Sequence, residues 1–228
     1  VVCLIDTAKL VADSNPDVIL AAYSGLTQEE YDTLSQIAPV VAYEETPWVT
    51  PWRDQVLLNA KGMGMEKEGK QLIADTEKLI ADKANEYSVI KGKKAAFGMF
   101  NTADLSSFYI YTESDPRGEF LSDLGMEYPQ GIKDAITEED GFYIQVSAEN
   151  ADILNDTEIL ITYGNADTLA ALQADPILGK VPAIAAGNIV VIEDNTPLAA
   201  AGNPNPLSIQ YTIDEYLTLI SDVAKNVK

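Results

Sequence analysis

The chain has 228 residues, of which 46% are hydrophobic and 22% charged, as expected for a globular protein with a sizeable core. Its formal net charge of −21 makes nucleic acid and anionic lipid surfaces poor candidate partners, and no run of about 18 apolar residues predicts a membrane span. Because the chain has no histidine and only one cysteine, imidazole catalysis, the common imidazole metal sites and multi-thiol metal sites are excluded.

Short apolar runs predict three strands near the N-terminus, namely VVCLI (1–5), with Cys3 as a core thiol, DVILAAY (17–23) and PVVAY (39–43). Between the last two, Thr27 and Glu30 form a capping box, and apolar residues on one face predict a helix over 27–38. The segment TPWVTPWRD (46–54) then predicts an irregular loop, which carries both tryptophans and one of the two arginines of the chain.

The stretch from about Glu66 to Val89 predicts a long helix, since its apolar residues recur at three- and four-residue steps. A helix of this length spans about 36 Å, and its position between two sets of strands indicates that it joins two lobes. We therefore expect a partial N-terminal lobe over 1–60, an inter-lobe helix over 61–92 and a C-terminal lobe over 93–228.

Apolar runs after this helix predict five more strands, KAAFGMF (94–100), FYIY (108–111), FYIQV (142–146), EILITY (158–163) and NIVVIE (188–193). Helical patterns alternate with them at 118–125, 148–155 and 167–175, and an amphipathic helix closes the chain over 208–227. This alternation predicts an α/β fold in which two lobes with mainly parallel sheets are joined by a long rigid helix.

Aromatic, amide and hydroxyl side chains follow the predicted strands, as at Tyr23-Ser24-Gly25, 44–53, Phe100-Asn101-Thr102 and Tyr163-Gly164-Asn165. Ligands bind outside the carboxyl ends of the strands in open parallel sheets. These residue types are typical of a binding cleft, and they include no obvious catalytic pair. Tyr109 and Tyr111, on the strand FYIY, are also well placed to form flat walls with a polar handle.

Only two of the 15 basic residues are arginines, Arg53 and Arg117, which indicates that their planar geometry is used. A guanidinium binds paired oxygens in a bidentate fashion and stacks on aromatic rings. The alternative is a surface ion pair with Asp54, Asp115 or Glu119. Trp48 and Trp52 likewise have two interpretations, since large rings occur as ligand contacts and as core residues.

The order of several motifs resembles the iron-siderophore substrate-binding proteins of ABC importers over nearly the whole chain. These motifs are NPDVILAAYSGLTQEEYDTLSQIAPVVAY (15–43), W-x-x-x-W-R-D leading into a long helix, GKKAAFGMF (92–100), DPRGEFLSDLG (115–125), VSAENADILNDTEILITY (146–163) and AGNIVVIED (186–194). The resemblance implies a receptor, not an enzyme, which captures a ferric chelate and delivers it to an ABC permease. The chelate itself would hold the metal, so neither a protein metal ligand nor an intrinsic cofactor is implied.

The resemblance also implies roles for particular residues. Glu149, in the S-x-E pattern at 147–149, would dock against permease arginines, although a first-turn acid also favours the helix dipole. The expected ligand contacts, in a cleft with TPWVTPWRD at its mouth, are Tyr23, Trp48, Trp52, Arg53, Asn101, Tyr109, Arg117 and Tyr163. The receptor would be an extracytoplasmic monomer, either periplasmic or anchored at the cell surface as a lipoprotein.

Two features depart from the family pattern. Lys9 stands where an N-lobe docking glutamate is expected. Members of the family also carry further strand–helix units before this region, so we expect this chain to be part of a longer protein.

The nature of the ligand stays open between several hypotheses. Two arginines in a chain of charge −21 match a trianionic ferric catecholate poorly, so the sequence favours a hydroxamate or another chelate of low charge. A haem or cobalamin receptor with tyrosines lining its pocket is the alternative among binding proteins. An α/β enzyme that acts on a small anionic substrate through Asp104 or Glu113, and a domain that binds nothing, are two further alternatives.

Overall fold

The computed structural model describes residues 7–137, 141–200 and 202–227. The chain divides into two compact units, Val1–Ala74 and Asp75–Lys228. The predicted strand VVCLI, with Cys3, lies outside the described residues. Among the described helices, none combines the length and apolarity that a membrane crossing requires.

The first unit contains two parallel strands and the helices around them. In chain order its elements are α1 (Thr7–Asp13), β1 (Ile19–Ala21), α2 (Gln28–Leu34), β2 (Val40–Ala42), α3 (Trp52–Gly62) and the start of α4 (Glu66–Glu86). Ile19 is the register partner of Val40. The predicted capping box is confirmed, because the Thr27 hydroxyl accepts from the Glu30 amide at 3.2 Å and the Glu30 carboxylate accepts from the Thr27 amide at 2.9 Å.

Helix α3 begins earlier than the sequence suggested. The loop predicted over 46–54 ends at Pro51, and Trp52 and Arg53 lie in the first helical turn. Proline has a φ that suits a helix start, and here Pro51 occupies the N-cap position with φ −55°. Trp52 is fully buried and secures this turn. The prediction of an irregular backbone was therefore wrong for the last three residues of the segment.

Helix α4 confirms the predicted long helix. It spans Glu66–Glu86, and a single 3₁₀ turn, Ser88–Ile90, follows it. Ile80 is buried on one face, whereas the exposed face carries i,i+4 ion pairs such as Glu66–Lys70 at 2.6 Å. The division between the two compact units falls inside this helix.

The second unit is built on a five-stranded sheet. Its strands are β3 (Ala95–Phe100), β4 (Ser107–Tyr111), β5 (Tyr143–Ser147), β6 (Ile159–Gly164) and β7 (Ile189–Glu193). Its helices are α5 (Pro116–Asp123), α6 (Gln130–Lys133), α7 (Thr168–Ala174), α8 (Pro182–Ala186), α9 (Pro197–Ala200) and α10 (Pro206–Ala224). The unit also includes the rest of α4, the 3₁₀ turn Ser88–Ile90 and the 3₁₀ segments Ala148–Leu154 and Leu178–Lys180.

The α/β class is confirmed, but the sheet of the second unit is mixed. The strand order is β5-β4-β3-β6-β7, in which β3, β6 and β7 run parallel while β4 is antiparallel to both β3 and β5. The expectation of a mainly parallel sheet was therefore wrong for half of its strand pairs. Only residues 101–106 connect β3 to β4, and a parallel crossover needs about a dozen residues.

The two faces of this sheet have different roles because side chains alternate along each strand. One face contributes to the main apolar core, with Ala96, Phe100, Phe108, Ile110, Val146 and Leu160 among its buried residues. The alternate positions place Phe97, Met99, Tyr109, Tyr111 and Tyr163 on the opposite face. The predicted C-terminal helix is confirmed as α10, whose Ile213, Leu217 and Ile220 are buried.

Candidate ligand-binding site

Arg117 in the second unit is held in one orientation by Asp115. Its Nε donates to Asp115 Oδ1 and its Nη2 donates to Asp115 Oδ2, each at 2.7 Å. The Asp115 side chain is fully buried and the Arg117 side chain is 13% exposed. The surface ion pair considered from the sequence is thus a nearly buried one, which holds the guanidinium in one orientation.

The start of helix α5 explains why this pair forms. Asp115 is the N-cap residue, Pro116 follows at the first helical position, and Asp115 Oδ1 also accepts from the Arg117 amide at 2.8 Å. Gly118 lets the helix approach the preceding segment closely, since a Cβ there would lie 2.2 Å from the Thr112 carbonyl oxygen. The turn that carries Arg117 therefore depends on a residue without a side chain.

Three aromatic rings, those of Tyr111, Phe97 and Tyr163, pack together with the Arg117 guanidinium; these residues and Asp115 form the Arg117 cluster. The guanidinium carbon lies 3.7 Å from the centre of the Tyr111 ring, which is cation–π contact. Phe97 packs between the two tyrosines, with ring centroids 5.7 Å from Tyr111 and 4.9 Å from Tyr163. The Tyr163 phenol lies near enough to Arg117 for that charge to oppose the rise of its pKa that burial causes. The Tyr163 hydroxyl also lies against the backbone of Gly202, where a Cβ would approach it to 2.3 Å.

Burial and charge shift the pKa values of this cluster. Burial raises the pKa of the Tyr163 phenol, and the hydrogen bond and positive charge of Arg117 oppose that shift only in part. The pKa of Tyr111 is raised for the same leading reason. Burial would lower the pKa of Arg117, but the hydrogen bonds and charge of Asp115 raise it on balance. Near neutral pH the cluster therefore holds one fixed cation, its buried counter-ion and two neutral phenols.

Tyr109 belongs to a partly exposed row beside this cluster. On β3 its register partner is Met99. Gly98 pairs with Thr162 on β6, so the next residues along these two parallel strands, Met99 and Tyr163, are also neighbours. Met99 is 41% exposed, whereas the other five residues of β3 are buried. The Tyr109 ring also contacts the ring of Tyr143 edge-on, with centroids 5.3 Å apart. The row Tyr109–Met99–Tyr163 forms an apolar surface with two hydroxyl groups.

Asn101 follows β3 and is exposed, as its predicted position required. Its Oδ1 accepts from the Ala103 amide at 3.1 Å, so one end of the side chain closes a local turn. Among the described residues, no hydrogen bond joins Asn101 to the Arg117 cluster.

In the first unit, Tyr23 and Trp48 come together after the ends of β1 and β2. Their rings make an edge-to-face contact with centroids 5.3 Å apart, and Trp48 is 40% exposed. The Trp48 amide donates to the Ser24 carbonyl at 3.1 Å, and the residue adopts φ 64°. The indole lies directly on Gly25, where a Cβ would come within 2.5 Å of its Nε1. Local backbone contacts therefore place this pair at the predicted strand ends.

Trp52 and Arg53 lie in a helical turn and not in the loop that the sequence predicted. Trp52 has no exposed surface, so the direct ligand contact suggested by its loop position does not fit its burial. The guanidinium carbon of Arg53 lies 4.4 Å from the centre of the Trp52 ring, and Arg53 is partly exposed. Trp52 therefore supports Arg53 from beneath and belongs to the core of the first helical turn.

The two residues considered for docking lie on the surface. Glu149 is exposed in the first turn of the 3₁₀ segment Ala148–Leu154. Asn150 interrupts the helical geometry of that segment, which makes it less regular than the predicted α-helix. Lys9, which replaces the acid expected from the family pattern, pairs with Asp13 at 2.6 Å on the exposed side of α1.

A cavity of about 410 Å³ opens within the first unit, between the start of α2 and strand β2. Its described lining comes from residues 26–31 and 40–44 and includes no residue that the sequence predicted as a ligand contact. In the part of the chain that the structure describes, no three or more His, Cys, Asp or Glu side chains cluster so as to hold a metal ion.

The sequence reasoning missed two residues of the Arg117 cluster and its surroundings. Asp115 was considered only as a surface partner, although the Asp-Pro pair before a helical pattern is an N-cap signal. Met99 lies in the apolar run KAAFGMF and was assigned to a strand without a separate role. No feature of that run distinguishes the one position that stays exposed.

Comparison with known proteins identifies the family. The periplasmic binding protein family model matches residues 9–196. The chain belongs to the periplasmic binding protein family. Its solved relatives in this family include PiaA of Streptococcus pneumoniae TIGR4 in complex with ferrichrome, which is 51% identical with a TM-score of 0.94. That alignment covers 97% of this chain and 74% of PiaA. The family resemblance predicted from the motif order is thereby confirmed.

A second structure of PiaA and one curated relative agree with this result. The second PiaA structure, described as an iron uptake ABC transporter substrate-binding protein, is 50% identical with a TM-score of 0.91, and the alignment covers 96% of this chain and 75% of PiaA. The probable siderophore-binding lipoprotein YfiY of Bacillus subtilis is 32% identical over 123 residues, which are 54% of this chain. The chain spans 36% of the length of YfiY.

Proposed function

We propose that this member of the periplasmic binding protein family captures a ferric siderophore of the hydroxamate type and delivers it intact to an ABC permease. One observation carries the proposal. A guanidinium that Asp115 fixes over the Tyr111 ring occurs in a chain that is 51% identical to a protein solved with ferrichrome.

The chemistry of the cluster suits a metal that is already enclosed by its chelator. A ferric trihydroxamate presents oxygen acceptors and an organic shell, and the iron needs no ligand from the protein. Arg117 offers N–H donors toward such oxygens, while Tyr109, Met99 and Tyr163 offer an apolar surface with hydroxyl groups. This arrangement contains no nucleophile and base within reach of each other, which favours a binding protein over an enzyme.

Each unit supplies a set of proposed ligand contacts. In the second unit they are Arg117, Tyr109, Tyr163 and Asn101, and we add Met99 because it is exposed beside Tyr109. In the first unit they are Tyr23, Trp48 and Arg53, with Trp52 as the buried support of Arg53. The aromatic members would pack on the organic shell, and the two arginines would donate to ligand oxygens.

Delivery to the permease involves the exposed surface and the long helix. We propose Glu149 as a docking residue for a basic group on the permease and the region 61–92, which includes α4, as the connection between the lobes over 1–60 and 93–228. The receptor would act as a monomer outside the cytoplasm, free or anchored as a lipoprotein.

Titration of the 228-residue chain tests the proposal. Ferrichrome, a trianionic ferric tris-catecholate and hemin are each added while tryptophan emission is followed, and calorimetry measures the dissociation constants. Native mass spectrometry then shows whether the bound species contains both iron and siderophore. Tight binding of ferrichrome as an intact complex is expected. A Soret shift with hemin and no response to either siderophore would favour the haem receptor and overturn the proposal.

A further inference from the structure

We propose that Asp115 sets the charge selectivity of this site. By neutralising Arg117, it makes the site favour an uncharged ferric chelate over an anionic one. The inference rests on the proposed function and assigns a specificity-determining role to a residue that does not itself face the ligand.

Arg117 keeps hydrogen-bond donors that Asp115 does not use. A guanidinium carries five N–H groups, and Asp115 accepts from two of its nitrogens, Nε and Nη2. The Arg117 side chain is 13% exposed, so it is not fully closed off from solvent. Arg117 can therefore still donate to neutral acceptors such as hydroxamate oxygens.

Asp115 also neutralises the charge of Arg117. The Asp115 carboxylate has no contact with solvent and lies 2.7 Å from the guanidinium nitrogens, so water screens this pair little. An anion that approached the exposed edge of Arg117 would meet the field of both charges, and the attraction to one would largely be cancelled by repulsion from the other.

The described charges near Arg117 in the second unit give an anion little further attraction. Lys133, near Tyr128, is paired with Glu113 at 3.0 Å, so this second cation is also compensated. The whole chain carries −21 and repels anions at longer range. At Arg117 a trianionic chelate thus loses solvation without gaining a counter-charge from that residue, whereas a neutral chelate loses less and keeps the hydrogen bonds.

Asp115→Asn in the full chain tests this role, because asparagine keeps the size and one acceptor for the helix N-terminus but leaves Arg117 uncompensated. Glu215→Gln is the matched control, since it removes one exposed acid on α10 and leaves the Arg117–Asp115 and Lys133–Glu113 pairs intact. Dissociation constants for ferrichrome and for a trianionic ferric tris-catecholate are measured for both variants and for the unchanged chain. We expect Asp115→Asn to shift the ratio of the two constants toward the anion by about tenfold or more, and Glu215→Gln to leave it nearly unchanged.

Three results would overturn the inference in distinguishable ways. Equal losses of affinity for both chelates in Asp115→Asn indicate a purely structural role for Asp115 and leave the proposed function standing. An unchanged chain that binds neither chelate refutes the proposed function and the inference together. If Asp115→Asn does not fold, the salt dependence of the unchanged chain decides. Anion binding as tight as ferrichrome binding, and steeply weakened by salt, would show an uncompensated cation at the site.

Discussion

The carboxylate of Asp115 accepts two parallel hydrogen bonds of 2.7 Å from the guanidinium of Arg117. Folding has therefore already fixed the arginine before any ligand arrives, so binding costs little additional side-chain entropy. The Tyr111 ring beneath the guanidinium, 3.7 Å from its carbon, removes a further direction of movement. The guanidinium of Arg117 is thus a rigid hydrogen-bond donor.

Replacement of Arg117 tests how much this donor contributes to ferrichrome binding. Arg117→Ala is expected to weaken ferrichrome binding by about 1–3 kcal/mol, as is typical for lost hydrogen bonds to a charged group. Arg117→Lys keeps the charge without the planar fork and should recover only part of the loss. Lys133→Ala, which removes a cation paired with Glu113, is the matched control. Calorimetry gives the three constants, and an unchanged constant for Arg117→Ala would remove this residue from the site.

Gly118 is predicted to be essential for the same turn. A Cβ at this position would lie 2.2 Å from the Thr112 carbonyl oxygen, so Gly118→Ala must displace the start of α5. We expect a destabilisation of about 1–3 kcal/mol, which in a chain of this size lowers Tm by about 2–4 °C per kcal/mol, together with weaker ferrichrome binding. Gly141→Ala serves as control, because among the described residues no atom lies within 4 Å of the new Cβ. Equal melting temperatures for the two variants would contradict the close approach.

The two tryptophans should respond differently to a collisional quencher. Trp48 is 40% exposed and Trp52 is fully buried, so acrylamide should quench Trp52→Phe strongly and Trp48→Phe only weakly. If Trp48 contacts the ligand, saturating ferrichrome should also protect Trp48 in the Trp52→Phe variant. Stern–Volmer plots with and without ligand measure both effects. Undiminished quenching of Trp48 in the complex would exclude it from the ligand contacts.

Alkaline pH should destabilise the protein through its buried phenols. Burial raises the pKa of Tyr111, Tyr128, Tyr163 and Tyr216 above the ordinary tyrosine value of about 10. Above that value the folded chain binds more protons than the unfolded chain, so stability falls as pH rises through the raised pKa values and is intact below about 10.

Absorbance at 295 nm and melting temperatures between about pH 9 and pH 12 check this expectation. A late group of tyrosinates should appear together with loss of structure, and Tyr216→Phe should reduce the late amplitude. A single titration step near the ordinary tyrosine pKa, completed while the fold persists, would contradict the burial of these phenols.

Much of the fold could be predicted from local patterns. Each predicted strand outside the undescribed N-terminus appears within one or two residues of its apolar run, and Thr27 caps α2 as expected. Strand direction was less accessible. The apolar run of β4 does not indicate its partner, and only the short connection over 101–106 pointed to an antiparallel pair. The helical start at Trp52 was hidden because Pro51, the N-cap, reads equally well as a loop residue.

The ligand contacts stay predictions, although the sequence indicated where several candidates lie. Rare residues at strand ends pointed to Arg117, Tyr163, Tyr23 and Trp48, whose local packing the structure describes. The sequence left the burial of Trp52 open because exposure of a large ring depends on tertiary packing, which sequence patterns do not report. The dual role of Asp115, as helix cap and as counter-ion, depends on where the Arg117 side chain turns. That direction follows from the Tyr111 ring on a different element.

Replacement of Glu149 separates ligand capture from delivery. Glu149 is exposed on the segment Ala148–Leu154 and lies apart in sequence from the residues proposed for the ligand site. Glu149→Ala should therefore leave the dissociation constant for ferrichrome unchanged, while iron uptake by cells that depend on this receptor falls about 3- to 10-fold, as expected when a rim charge is lost from an interface. Glu215→Ala, an exposed acid on α10, is the control and should transport normally. Higher salt should narrow the difference between Glu149→Ala and the unchanged receptor, because screening weakens an exposed charge pair. Normal uptake by Glu149→Ala at low and high salt would show that the permease contacts another surface.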